Sequence, residues 1–282
     1  ELPDKLELVH QVQLTAAQRQ LYSALYAERH QEAIVGSTPR ASGAADCSLP
    51  DAAEATGLAI DVDAEEADEV VHIEDDAAPV TVKSAAAVAP SRSGRHFQAL
   101  SMMHGLQQIC NHPAVLPEHR WPTASGLERS SEDVQALAVN SGKTARLLEL
   151  LDEILSPPRE KVLIFTQYVA TLELLATMVE ANFRGVRAAR FSGALSRQER
   201  EAAVRDFSED PTYAVMVLTL QAGGVGLTLT AATHVVHFDR CWNPAKEAQA
   251  TDRAHRIGQR QTVVVHRLVS EGTFEDRLAK VV

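Results

Sequence analysis

From residue 141 onward the sequence alternates short, wholly apolar runs with longer stretches of helical period, and no other feature constrains the fold as much. "KVLIF" and the runs over 186–191, 213–219, 234–239 and 262–269 are too short for helices and apolar at successive positions, as strands buried on both faces must be. Between them the spacing predicts helices over 168–182, 197–208, 244–257 and 273–281, after a first helix with Leu147, Leu148, Leu151, Ile154 and Leu155 on one face. Ser196 with Glu199 forms a capping box, Asn243 and Pro244 form an N-cap and first-turn proline, and Gly258 supplies a stop. Strict alternation of this kind gives an α/β fold, a doubly wound parallel sheet with helices on both faces. Such sheets bind ligands at the carboxyl ends of their strands.

The chain before residue 141 is of a different character. Residues 14–34 read as a helix that opens on a Thr15–Gln18 capping box and repeats Leu21, Tyr22, Leu25 and Tyr26 at helical spacing. We assign residues 1–35 to a helical segment and 95–140 to a second helix and loop, with periodicity from Phe97 to Ile109 that stops before Pro113. Residues 36–94 are rich in Ala, Ser, Pro, Gly and acid. They bury too little apolar surface to offset chain entropy, which predicts a disordered insertion. Residues 141–282 complete the organisation as one α/β domain.

The formal charge of −11 is unevenly placed. Residues 41–82 hold 12 acidic side chains and no Lys or Arg, so the remaining chain sums to +1 and can own a surface for a polyanion. Cys47, Cys110 and Cys241 lie far apart without a C-x-x-C pair, which fits a reducing compartment and gives no metal-ligand spacing. Cytoplasm of a bacterium or a nucleus is the expected location. Residues 214–238 carry no charge and are long enough to cross a bilayer, but Gly223, Gly224 and Gly226 interrupt them. Two buried strands joined by a tight loop explain the stretch better, and no membrane partner is expected.

Two glycine motifs imitate phosphate sites incompletely. "SGKT" at 141–144 lacks the earlier glycine of a P-loop, since position 137 is Leu137. "AGGVGLTLTAA" has Leu229 where a dinucleotide fingerprint needs its third glycine. Gly223, Gly224 and Gly226 still permit close approach of backbone N–H groups to an anion, or alternatively a tight strand connection. Near the end of the 244–257 helix, Gln249, Arg253 and Arg256 follow i, i+4, i+7 spacing and share one polar stripe. The two arginines either complement the helix C-terminus, with Asp252 as a partner for Arg256, or clamp phosphate oxygens.

Taken together, "KVLIFTQY", "RFSGALSRQER", "LTLQAGGVGLTLTAATHVVHFDRCWNPAKEAQATDRAHRIGQ" and "VVHRLVSEGTFED" resemble the C-terminal RecA-like lobe of Swi/Snf-related ATPases, in helicase superfamily two. "LTAAQRQLYSALY" and "LQQICNHPAVL" resemble the segment that joins that family's first lobe to its second. The resemblance implies that Arg253 and Arg256 act as fingers on the γ-phosphate of ATP, with Gln249, Asp252, Gly224 and Gly226 in the nucleotide site. It implies a DNA-binding role for Thr166, Gln167, Ser192, Gly193, Thr219, Gln221, Gly223 and Trp242. Thr228 stands where asparagine is usual in the family, and Cys241 where an aromatic is common. A complete P-loop and an acidic Mg²⁺-binding strand end are missing from the sequence, so ATP and Mg²⁺ are expected mainly on a first ATPase lobe, and the lobe alone is expected to be inactive. Double-stranded DNA and that lobe are the expected partners. A different reading makes the lobe a non-catalytic DNA- or protein-binding module, with the acidic segment as a regulatory tail.

Overall fold

The computed structural model describes residues 2–35, 92–122, 125–126, 140–157, 160–222 and 226–281, without the side chains of 29–35, 92–99 and 280–281. The chain divides into two compact units, 1–29 with 98–282, and 30–97. All six strands belong to the first. The acidic stretch of 41–82, and the insertion expected over 36–94 up to residue 91, lie outside the described residues.

Six strands, β1 (Lys5–Val12), β2 (Val162–Thr166), β3 (Ala188–Phe191), β4 (Val215–Thr219), β5 (His234–His237) and β6 (Val263–Ser270), form one sheet in the order β1-β6-β5-β2-β4-β3. Every pairing is parallel. Among the described residues seven α-helices accompany them: α1 (Ala16–Val35), α2 (Arg92–Asn111), α3 (Gly142–Leu155), α4 (Val169–Asn182), α5 (Arg197–Glu209), α6 (Pro244–Thr251) and α7 (Phe274–Val281). The expected doubly wound parallel sheet is present. All five residues of β2 and of β4 are buried, as strands covered on both faces require.

The pleat splits these strands between two cores. Ile164, Val215, Val217, Val236 and Phe238 pack on one face with Leu147 and Leu151 of α3 and Leu172 and Val179 of α4. Leu163, Phe165, Met216, Leu218, Val235 and Val265 pack on the other with Phe207 of α5 and Ala250 of α6. Each fully buried Leu, Val or Phe contributes about 1.5–3 kcal/mol.

Residues 5–12 correct the expectation of a wholly helical N-terminal segment. They pair in register with β6, from Lys5 beside Val263 to Val12 beside Ser270. Leu6, Leu8 and Val9 remain exposed, so this edge strand is held by its hydrogen-bond ladder more than by burial. Behind it, Leu21 and Leu25 of α1 form a third core with Leu106 and Ile109 of α2 and with Leu116.

The capping boxes of α1 and α5 both form. Thr15 N–H donates to Gln18 Oε1 at 3.0 Å and Gln18 N–H to Thr15 Oγ1 at 3.2 Å. Ser196 N–H donates to Glu199 Oε2 at 2.7 Å, and Glu199 N–H to Ser196 Oγ at 3.3 Å. Gln18 is fully buried and also joins three segments: its amide donates to the carbonyls of Ile109 and Cys110, and its oxygen accepts from Gly142 N–H. Gly142 is obligatory at this junction, because a Cβ there would lie 2.1 Å from the Gln13 carbonyl oxygen.

Cys110 and Cys241 are buried free thiols. Among the described residues no helix is long and apolar enough to cross a membrane.

Candidate functional site

The carboxyl ends of the strands carry the polar residues singled out by sequence. Thr166, at the end of β2, is fully buried and donates its hydroxyl to Asp239 Oδ2 at 2.6 Å. Asp239 also accepts from Gln167 N–H at 3.0 Å and from Asn111 Nδ2 at 2.8 Å. Burial pushes the Asp239 carboxyl up to about 6 against the opposing pull of Lys143 and these donors. The Gln167 amide is committed too, to the Arg240 carbonyl at 2.9 Å and Gln107 Oε1 at 3.2 Å.

Thr166 and Gln167, expected to hold a DNA phosphate, have their polar atoms engaged within the lobe in this structure, where they fasten the strand end to Asp239 and Arg240. Thr219, the last residue of β4, is buried at 5% exposure and offers no open surface. Gln221, Gly193 and Trp242 are exposed and Ser192 half-buried. The Gly193 carbonyl accepts from Arg200 at 2.8 Å, and the Trp242 ring stacks 6.2 Å from that of Phe274. Gly226 adopts φ 34, a conformation that glycine tolerates best. Gly223 and Gly224 lie outside the described residues.

Asn243 caps α6 as expected, accepting from Ala245 N–H at 2.9 Å. The helix, however, ends at Thr251 and not at 257. Arg253 N–H reaches back only to Ala250 and Ala254 N–H to Thr251, the tighter spacing of a fraying terminus. The turns that follow are fixed from outside. Leu229 N–H donates to the Arg253 carbonyl at 2.9 Å, and the Gln259 amide donates to the carbonyls of Ala232, Thr230 and Ala254. Helical period is therefore not what relates Arg253 to Arg256.

They are brought together all the same. Gln249, Asp252, Arg253 and Arg256 line one open cleft of about 390 Å³ with Leu2, His255 and Ile257. Gln249, Asp252 and Arg256 are exposed. Arg253 is only 6% exposed, and its Nε is buried without a hydrogen-bond partner. Burial and the neighbouring charge of Arg256 hold its guanidinium below the ordinary pKa, with Asp252 acting the other way. A forked cation with an unused buried donor on a cleft wall, beside a second cation, matches the oxygens of a phosphate.

Known proteins share this framework. Residues 142–258, from the obligatory glycine of α3 to the glycine that closes the arginine turns, match the helicase conserved C-terminal domain. YwqA of Bacillus subtilis is 43% identical over 179 residues, which cover 64% of this chain and 18% of that protein. The human lymphoid-specific helicase is 35% identical over 191 residues, 68% of this chain and 22% of that one. The Sulfolobus solfataricus SWI2/SNF2 ATPase core in complex with dsDNA superposes with a TM-score of 0.65 at 26% identity, over 99% of this chain and 43% of that one. The chain is a Swi/Snf-related C-terminal helicase lobe. It spans about a fifth of the length of these two curated relatives.

Within this RecA-like lobe the structure adds residues that sequence reasoning missed. Glu247, in the first turn of α6, is buried at 2% exposure and joins three donors: Arg240 Nε at 2.9 Å, Cys241 N–H at 2.8 Å and Arg267 Nε at 3.4 Å. Burial raises its carboxyl, but the charge of His237, the Cys241 N–H and Arg240 outweigh that and keep it below the ordinary range. Arg267 continues to Glu7 of β1 at 2.7 Å. Lys143 of the "SGKT" sequence points inward to Glu275 and Asn111, at 2.7 Å and 3.1 Å, so it serves the core of the lobe. A glutamate in a first helical turn reads from sequence as an ordinary dipole partner. Only the register of β6 beside β1 shows that Arg267 joins it to Glu7.

Proposed function

We propose that this lobe closes on ATP held by a first ATPase lobe and directs Arg253 and Arg256 at the γ-phosphate, within a motor that moves along double-stranded DNA. The cleft carries the reading: Gln249, Asp252, Arg253 and Arg256 line it together, and Arg253 keeps a buried Nε unused. Two guanidinium groups fit the oxygens of a triphosphate, and charge developing on the transferring phosphoryl group is what a desolvated fork stabilises best. ATP would supply the scissile phosphoanhydride and arrive with Mg²⁺ bound mainly by the other lobe. The residues of this lobe complete the pocket, exclude water at Arg253 and position charge.

A DNA face is proposed at the residues beyond the strand ends that stay open, Ser192, Gly193, Gln221 and Trp242. Contacts to phosphates there would be indifferent to base sequence and steeply dependent on salt. The dsDNA complex of the Sulfolobus solfataricus core supports this part of the reading.

The test is DNA-stimulated ATP turnover by the full-length protein that carries this lobe. Arg256→Ala is expected to lower it about a thousandfold or more, the range of arginine fingers. Turnover equal to that of the unaltered protein would remove Arg256 from the mechanism.

A further inference from the structure

We infer that the entering segment, residues 2–12, positions the arginine turns of residues 252–258, and that His255 is the positioning residue that joins them. The inference rests on the finger role proposed above. Because α6 ends at Thr251, the turns carrying Arg253 and Arg256 depend on ties to their surroundings. The Leu229 N–H and the Gln259 amide hold the inner side, at the carbonyls of Arg253 and Ala254. The outer side is held by the residues just before β1: His255 Nε2 lies 2.8 Å from the Pro3 carbonyl oxygen. A carbonyl only accepts, so this nitrogen carries the proton and donates. In the next residue the Asp4 carbonyl accepts Val263 N–H at 3.1 Å, which starts the β1–β6 ladder. Leu2 stands on the wall of the arginine cleft itself.

A second tie runs deeper. Glu7 of β1 accepts from Arg267, and Arg267 reaches Glu247 at the start of α6. One end of the 244–258 segment thus contacts the residues leading into β1, and the other contacts Arg267 of β6, which itself holds Glu7 of β1. Strand β1, by contrast, is weakly anchored, since Leu6, Leu8 and Val9 stay exposed. An edge strand with little burial undocks at lower cost than the interior of the sheet. Undocking would take away the acceptor of His255 and one wall of the cleft, so strand docking and arginine placement are linked. By reciprocity, a ligand that engages the arginines must tighten the strand.

The experiment uses the full-length protein and three variants. His255→Ala is expected to lower kcat for DNA-stimulated ATP turnover about fivefold to tenfold, the worth of one hydrogen bond, with KM for ATP within about twofold. His255→Gln, whose amide donates from a similar reach, should restore most of kcat. A structural defect alone would not be rescued in this way. Amide exchange at residues 5–12 should slow when a non-hydrolysable ATP analogue and DNA are added to the unaltered protein, and should not respond in His255→Ala. Arg256→Ala, run in parallel, separates the two ideas. If it is inactive while His255→Ala turns over normally and the exchange of 5–12 ignores nucleotide, the positioning role is overturned and the finger role stands. If Arg256→Ala is fully active, the finger role fails, and the exchange measurement alone decides whether strand and turns are coupled.

Discussion

Lys143 Nζ lies 2.7 Å from Glu275 Oε1, and neither side chain exceeds 1% exposure. The pair is closed by neighbours: Asn111 Oδ1 accepts from Lys143 at 3.1 Å, and Ser270 N–H donates to Glu275 Oε2 at 3.1 Å. It joins α3 to α7 through the end of α2. Removing one charge strands the other, which costs about 3–5 kcal/mol. Lys143→Met should therefore lower the free energy of unfolding by that amount. The double variant Lys143→Met with Glu275→Gln should recover part of it. Chemical denaturation followed by circular dichroism measures both.

Gly142 meets the Gln13 carbonyl so closely that no side chain fits between them. Gly142→Ala should cost about 3 kcal/mol, the upper end for overpacking, because the obstacle is backbone. Thermal unfolding reads the loss. A midpoint within a degree of the unaltered protein would show that the junction between residues 13 and 142 yields easily.

Three imidazoles cross the sheet in file. His10 Nε2 and His266 Nδ1 are 3.0 Å apart, as are His266 Nε2 and His234 Nδ1, and His234 Nε2 ends 3.2 Å from Glu160. Arg146, a donor only, lies 3.4 Å from His10 Nδ1 at the other end, so each ring carries its proton on Nε2. Burial, with His234, His10 and Arg146 nearby, pushes His266 down to about 4, and burial pushes His237 down to about 4. The unfolded chain then binds more protons between pH 6.5 and pH 4, so stability is lost as pH falls through that window. The slope is about 1.4 kcal/mol per pH unit for each group. His266→Gln should flatten the dependence of the melting temperature on pH between 6.5 and 4.5, and an unchanged profile would refute the assignment.

Much of the fold is legible in the sequence, and the reasons are local. "VLIF" and "VMVL" are buried on both faces, so the parallel sheet shows in composition alone. "KLELVHQV" does not declare itself a strand, because its apolar side chains stay exposed and its partner lies over 250 positions away. Helix α6 is shorter than its sequence suggests: "DRAHRI" has helical propensity, but Leu229 and Gln259 claim its carbonyls. Thr166 and Gln167 stand out in the sequence, but their partners within the lobe do not, since Asp239 and Arg240 lie more than seventy positions on. The arginine pair was legible as a pair, and its surroundings were not.

Arg253→Lys should separate charge from shape at the cleft. Lysine keeps the cation but offers a single point of contact in place of a fork. Turnover of ATP by the full-length protein should fall at least about tenfold, with DNA affinity unchanged. Single-turnover and DNA titration assays provide the two readings.

The order β1-β6-β5-β2-β4-β3 places the earliest strand beside the latest. A ribosome makes more than 250 residues between the start of β1 and the start of its partner, so β1 waits unpaired until β6 exists. Closing that edge takes a contact of very long range, slower to form than the nearer pairings of the sheet interior.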